Sequence, residues 1–183
     1  IADEWSAVAR AWIGDHADTG VDPATVLMAL QTVVTAWPID ADRLTEYLVK
    51  SAREADVHTA WTAVDDGYEA ALAGLSRTLV GETADAGTGL AGIVERLLRP
   101  GWSNSLAASA IRLTAPGVPD LYQGTAAFTY SLVDPDNRVE PDWDERRALV
   151  DRARALDGPT AWSGDDDEAT KAVLIERILR LRR

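Results

Sequence analysis

The sequence predicts a mainly α-helical protein, and three observations lead to that prediction. Apolar residues recur at helical spacing through most of the 183 residues, helix-start signals precede the apolar stripes, and only one short segment is typical of a strand. The composition, 46% hydrophobic and 26% charged, is that of an ordinary globular chain. A chain of this length buries roughly 70% of its unfolded surface, so it can build a core without disulfides.

Six helical segments are expected in the first 115 residues. Apolar stripes or start signals mark them at residues 5–13, 23–37, 40–52, 65–81, 90–98 and 106–113. Asp22 before Pro23 is a typical helix start, because Asp accepts hydrogen bonds from free backbone N–H groups and Pro suits the first helical position. Pro100 and Gly101 are expected to end the fifth segment.

The pattern changes after Pro116–Gly117. Residues 118–122 are the best strand candidate, although a proline within them has no N–H to donate. Residues 123–141 form the longest stretch without a helical period, and loops of such length are often functional. Two further helices are expected, one that starts at Asp142 and a final one with acids at its front and arginines at its end, as the helix dipole favours.

The charge and composition exclude several classes of function. A net charge of −12 repels phosphate backbones and anionic lipids, so we expect neither nucleic-acid nor membrane binding, whereas a neutral ligand such as a sugar is compatible. The chain has no cysteine, and its two histidines, His16 and His58, lie far apart, so no metal or other cofactor is predicted. The first residues form neither a signal peptide nor a natural start, so we expect an excised piece of a longer, cytoplasmic protein.

Individual motifs are weak on their own. Residues 87–92 match G-x-G-x-x-G, but no buried strand precedes them, which favours a connector between helices over a dinucleotide site. Residues 134–137 bunch oxygen ligands without the spacing of a calcium loop, which favours a turn. Among the seven tryptophans, Trp61 lies in a polar stretch outside any helical stripe and is a candidate for facing a ligand.

Residues 116–125, PGVPDLYQGT, and residues 131–138, SLVDPDNR, carry a specific match. Together they resemble the maltooligosyltrehalose synthases, enzymes of the α-amylase superfamily of TIM barrels. Further segments resemble the same family in order and spacing. They are Ala36 to Pro38, Lys50 to Ala55, His58 to Trp61, Tyr68–Glu69, Gly101 to Leu106, and Leu113 to Pro116.

The resemblance implies a helical subdomain plus the last strand and helix portion of a (β/α)8 TIM barrel. Residues 1–115 would be the helical insertion between barrel strands 7 and 8, and residues 116–183 strand 8, the loop on the substrate side and the following helices. The family's reaction converts the reducing-end α-1,4 linkage of a maltooligosaccharide into an α,α-1,1 linkage by intramolecular transglycosylation. Its catalytic carboxylates belong to earlier strands, so this chain is expected to hold no catalytic residue and to be inactive alone.

The resemblance also implies which residues contact sugar, because active sites of TIM barrels lie at the C-terminal ends of the strands. The expected substrate-binding residues are Trp61, Tyr122, Gln123, Asp134, Asp136, Asn137 and Arg138. The expected partners are a maltooligosaccharide and the rest of the parent barrel. Residues 134–138 have an alternative role, which is to fold the loop on itself. The chain departs from the family pattern at Ala126, Phe128, Thr129 and Val139.

A second class of function stays open at this point. A non-catalytic helical module that binds glucan or a protein partner would share the same helical pattern.

Overall fold

A computed structural model describes residues 2–86, 89–132, 139–156 and 167–182. The described chain is mainly helical, as predicted, and contains seven α-helices. Their bounds are Ala2–Asp15 (α1), Pro23–Thr35 (α2), Ala41–Ala55 (α3), Asp66–Ala84 (α4), Gly89–Thr114 (α5), Trp143–Ala155 (α6) and Asp167–Leu181 (α7). The chain divides into two compact units, residues 1–97 and 98–183.

Helices α2, α3 and α4 begin where the sequence predicts, because aspartates cap them. Asp22 Oδ1 accepts hydrogen bonds from the backbone N–H groups of Ala24 and Thr25 at 3.1 and 3.0 Å. Asp40 and Asp65 cap α3 and α4 through one hydrogen bond of 2.8 Å each. The apolar stripes then meet in one core, whose fully buried members include Val26, Leu30, Val33, Leu44, Leu48, Leu72 and Leu79.

Helix α5 runs without a break through Pro100, so the prediction that a helix ends there is wrong. A proline inside a helix removes one backbone hydrogen bond and costs about 3 kcal/mol. Buried side chains on both sides of the proline offset this cost: Leu90 and Ile93 are buried before it and Leu113 after it. Two of the predicted helical segments are therefore one helix.

The second unit is organised by α6 and α7, which pack against each other. Asp142 caps α6, since its Oδ1 accepts from the backbone N–H groups of Asp144 and Glu145 at 3.0 and 2.9 Å. The buried cluster of this unit consists of Ala127, Leu149, Ala153, Ala169, Ala172 and Val173. Ala127 belongs to the loop before α6, so the same cluster holds that loop against the helix pair.

Residues 118–122 pair with no strand in the described ranges, so the strand prediction is wrong for this structure. Val118 is 98% exposed, whereas strands of parallel sheets are buried on both faces. Arg182 donates instead to the backbone carbonyls just before this segment, those of Ala115 and Gly117. A parallel strand requires a neighbouring strand to complete its backbone hydrogen bonds, and the described residues supply none.

Candidate functional site

The loop that precedes α6 builds a site from turns. The Tyr122 carbonyl accepts from the backbone N–H of Thr125 at 3.1 Å and from its hydroxyl at 2.6 Å, which closes the first turn. Gly124 has a φ of +78°, a conformation that favours glycine. A Cβ atom at Gly124 would lie 2.9 Å from Cγ of Pro141, so glycine is needed for the two chain segments to approach this closely.

A cavity of about 420 Å³ opens between these segments, within the volume range of small-molecule sites. Its walls combine hydroxyl, amide, carboxylate and guanidinium groups. The lining residues are Tyr122, Gln123, Gly124, Thr125, Thr129, Ser131, Val139, Glu140, Pro141, Asp142 and Arg146. Hydrogen-bond donors and acceptors converge there, and one guanidinium is balanced by two carboxylates, which suits a neutral polar ligand better than an anion.

Two of the seven predicted binding residues, Tyr122 and Gln123, line this cavity together. The Tyr122 side chain is half-exposed. Four others lie outside the described residues: Asp134, Asp136, Asn137 and Arg138. Their contact with sugar stays a prediction, as does the calcium or turn interpretation of the same segment.

Side chains of α5 and α7 hold the far side of this loop. Lys171 donates to the Ala127 carbonyl at 2.8 Å, and its Nζ lies 5.1 Å from the centre of the Phe128 ring. Burial lowers the pKa of Lys171, because an ammonium loses hydration there. Trp102 Nε1 donates to the Tyr130 hydroxyl at 2.8 Å. Residues 127–130, which include the departures from the family pattern at Phe128 and Thr129, are therefore anchored by packing and by hydrogen bonds.

Trp61 lies in the first unit, on the loop between α3 and α4, and 59% of it is exposed. The Arg53 guanidinium covers one face of its ring, with Cζ 5.0 Å from the ring centre. Glu69 fixes that guanidinium through hydrogen bonds of 2.8 and 2.7 Å, and Thr59 donates to the same carboxylate at 2.8 Å. The indole is thus backed by a fixed cation and keeps an accessible surface, an arrangement suited to stacking.

The carboxylates around this loop are stabilised in their ionised form. Hydrogen bonds from Arg53 hold the pKa of Glu69 below its ordinary value, against the smaller opposing effect of burial. Burial acts to raise the pKa of Asp22, but hydrogen bonds from Thr25 and Tyr68 outweigh it, so this pKa also lies below its ordinary value. The Tyr68 hydroxyl lies 2.9 Å from Asp22 Oδ2, and this contact joins α4 to the start of α2.

Arg146 lines the cavity but is absent from the predicted site. Its Nε is buried and has no hydrogen-bond partner among the described residues. Its Nη1 lies 3.4 Å from Oε2 of Glu145. The capping Asp142 places Arg146 on the first turn of α6, but nothing in the sequence shows that this turn lies beside a cavity.

Other kinds of site are not found in the part of the chain that the structure describes. Within those ranges, no three His, Asp or Glu side chains are grouped so that they could hold a metal ion. None of the helices described is long and apolar enough to cross a membrane. The first two residues of the G-x-G-x-x-G match, Gly87 and Thr88, lie outside the described residues.

Fold and cavity together define an α-helical chain that presents a small polar cavity at the loop before its last two helices. Two Mycobacterium tuberculosis proteins, from different strains, with the provisional name maltooligosyl trehalose synthase are 35% identical to it over 170 residues. That match covers 88% of this chain and 20% of each relative. No protein-family model matches the chain.

The solved structures that resemble this chain carry the same kind of name as these relatives. A mutant of maltooligosyltrehalose synthase from Arthrobacter ramosus has 37% identity and a TM-score of 0.84, over 99% of this chain and 23% of that one. A hypothetical maltooligosyl trehalose synthase from Sulfolobus tokodaii has 26% identity and a TM-score of 0.79. This match covers 100% of this chain and 25% of that one.

The sequence relatives and structural neighbours of this chain are therefore maltooligosyltrehalose synthases, as the sequence predicts, and the chain matches one segment of them. It spans about a fifth of the length of the curated relatives. These matches do not favour the alternative of a non-catalytic helical module.

Proposed function

We propose that this chain is the part of a maltooligosyltrehalose synthase that forms scaffold and one wall of the sugar pocket. The parent enzyme would be an isomerase of the cytoplasm that moves the reducing-end α-1,4 linkage of a maltooligosaccharide into an α,α-1,1 linkage. The proposal depends on one observation. Residues 122–125, which belong to the segment that most resembles these enzymes, line a polar cavity of about 420 Å³.

The proposal gives each part of the chain a place in a (β/α)8 barrel. Residues 1–115 are the helical insertion between strands 7 and 8, and residues 116–183 are strand 8, its loop and the helices after it. Residues 118–122 become a strand only when neighbouring strands supply backbone partners. The rest of the barrel is thus the partner, and it also carries the catalytic carboxylates.

The chemistry of the wall fits an isomerisation. The glucose unit that leaves the α-1,4 linkage must stay bound, reorient and be attacked before water reaches the reactive centre. The Tyr122 hydroxyl and the Gln123 amide can hold sugar hydroxyls by hydrogen bonds. Within this proposal, Asp134 and Asp136 accept hydrogen bonds from the sugar, and Asn137 and Arg138 donate to it.

Trp61 has a separate role in the proposal, which is to stack on a glucose ring. An indole presents a flat apolar face, and a pyranose ring presents a complementary face of C–H groups. Arg53 occupies one face of the indole, so a sugar would use the other.

Titration of the purified chain with maltopentaose, measured by calorimetry and by product analysis, tests this function. We expect binding without conversion, because the wall is present and the catalytic carboxylates are not. The variant Gly124→Ala should bind about tenfold more weakly or worse. Its methyl group collides with Pro141 and shifts the turn that carries Gln123, which removes one or two hydrogen bonds to the sugar.

Gly74→Ala is the matched control. It makes the same substitution inside α4, where nothing lies within 4 Å, and should leave binding unchanged while stabilising the helix by about 0.5–1 kcal/mol. Conversion of maltopentaose by the chain alone would contradict the assignment of catalysis to the rest of the barrel. If Gly124→Ala binds maltopentaose as tightly as the unmodified chain, the proposal that this cavity binds the sugar is wrong.

A further inference from the structure

We infer that Arg146 is a sugar-binding residue of the cavity, in which its Nε donates a hydrogen bond to a hydroxyl oxygen of the bound glucose unit. This inference deepens the proposed function and rests on it. It adds a residue that neither the sequence motifs nor the resemblance points to.

The position of Arg146 is fixed by the fold. It stands on the first turn of α6, and its side chain is only 20% exposed. A Cβ atom at Gly124 would lie 4.0 Å from Arg146 Nε, so the guanidinium packs close to the turn that carries Gln123. Arg146 thus lines the cavity beside the residues proposed to hold the sugar.

The Nε group lacks an acceptor. It is buried and donates to none of the described residues, although buried polar groups in proteins are nearly always hydrogen-bonded. The carboxylate of Glu145 lies near Nη1 at 3.4 Å, at the other end of the guanidinium. A buried, charged donor without an acceptor favours the binding of a ligand that brings an acceptor into the cavity.

The surroundings indicate the chemistry of that acceptor. Glu140 and Asp142 line the same cavity, so its charge is not positive overall despite Arg146. An anionic ligand would face two carboxylates, whereas a hydroxyl group accepts from Nε and can donate to a carboxylate at the same time. A neutral polyhydroxyl ligand therefore fits the cavity, in agreement with a glucose unit.

Proton–nitrogen NMR of arginine Nε–H groups tests the inference on the unmodified chain. The Arg146 signal, identified by its loss in Arg146→Lys, should shift when maltotriose is added. The signal of Arg147, on the same helix with a side chain 75% exposed, should stay in place. A stationary Arg146 signal under saturating maltotriose, or a shift with inorganic phosphate alone, would overturn the inference.

Binding constants give a second measurement. Arg146→Lys keeps the charge but lacks Nε, and we expect about tenfold weaker binding of maltotriose, the loss typical of one hydrogen bond to a charged group. Arg147→Lys should bind like the unmodified chain. Circular dichroism checks that both variants fold. If Arg146→Lys does not fold, backbone-to-side-chain correlation spectra of the unmodified chain assign the Arg146 signal instead, and its response to maltotriose decides.

The outcomes separate the two proposals. If the unmodified chain binds maltotriose and Arg146→Lys binds it equally well, the role of Arg146 is wrong and the pocket stands. If the unmodified chain does not bind maltotriose at all, the pocket and the role of Arg146 are both wrong.

Discussion

Glu69 shows how much one side chain can connect in this protein. Its carboxylate, on α4, accepts two hydrogen bonds from Arg53 on α3 and one from Thr59 on the loop between these helices. The same Arg53 covers one face of Trp61. A single carboxylate therefore fixes both the junction of two helices and the backing of the exposed indole.

Glu69 and Asp22 are expected to set the acid limit of stability of the first unit. Both carboxyls have a pKa below its ordinary value in the folded chain, so folding favours their ionised form. Their stabilisation is complete above the ordinary carboxyl pKa of about 4 and is lost as the pH falls through the lower folded values. Thermal unfolding followed by circular dichroism should show a midpoint that drops as the pH falls below about 4.

The variant Glu69→Gln should unfold at a lower temperature at pH 7 and depend less on pH in the acid range. Glu46→Gln, at an exposed position of α3, is the control and should follow the unmodified chain. Identical acid profiles for Glu69→Gln and the unmodified chain would show that the ion pair with Arg53 contributes nothing to folding.

At the scale of the helix, local signals placed most elements correctly. Start signals or apolar stripes predicted α1 to α4, α6 and α7, because such signals act within one or two turns of the chain. They failed at Pro100, where the local stop signal is opposed by burial of side chains farther along the same helix. The free-energy cost of a proline inside a helix must be compared with the stabilisation from packing. The sequence alone does not show that packing.

Replacement of this proline should stabilise the chain. Pro100→Ala restores a backbone N–H inside α5, and we expect the free energy of unfolding to rise by up to about 3 kcal/mol. The helical signal in circular dichroism should hardly change, because the surrounding residues are already helical. Urea unfolding measures the first quantity and the far-ultraviolet spectrum the second.

Pro23→Ala is the control, since Pro23 occupies the start of α2, where proline is well tolerated and its replacement should not stabilise. A large gain of helical signal in Pro100→Ala would contradict a continuous α5.

At the scale of the whole molecule, the second unit exposes apolar side chains that a protein of this size would ordinarily bury. Val118 is 98% exposed and Leu181 86%. The chain spans about a fifth of the curated relatives, and in our proposal the rest of the barrel covers Val118 by pairing with residues 118–122. The function of the chain is then defined by what packs against it as much as by its own cavity.

Substitution of Val118 should have different effects in this chain by itself and in the full-length parent enzyme. Val118→Lys in this chain should change the free energy of unfolding by less than about 0.5 kcal/mol, because the side chain is in solvent. In the full-length parent enzyme the same change would bury an unpaired ammonium in the barrel and should lower stability by more than about 2 kcal/mol.

Val57→Lys, on the exposed loop after α3, should be tolerated in both proteins because it lies outside the proposed barrel. Equal tolerance of Val118→Lys in the full-length enzyme would argue against its assignment to strand 8.

The sequence by itself determined the helical class, a start signal or an apolar stripe for each of six helices, and the resemblance of residues 116–138 to one family of enzymes. These are properties of neighbouring residues, which any chain carries before it folds. Tertiary structure alone decided that α5 continues through Pro100, that residues 118–122 form no strand without neighbours, and that Arg146 lies beside Gln123 at a cavity. Each of these depends on side chains and hydrogen-bond partners brought together by packing, and helical periodicity holds no information about them.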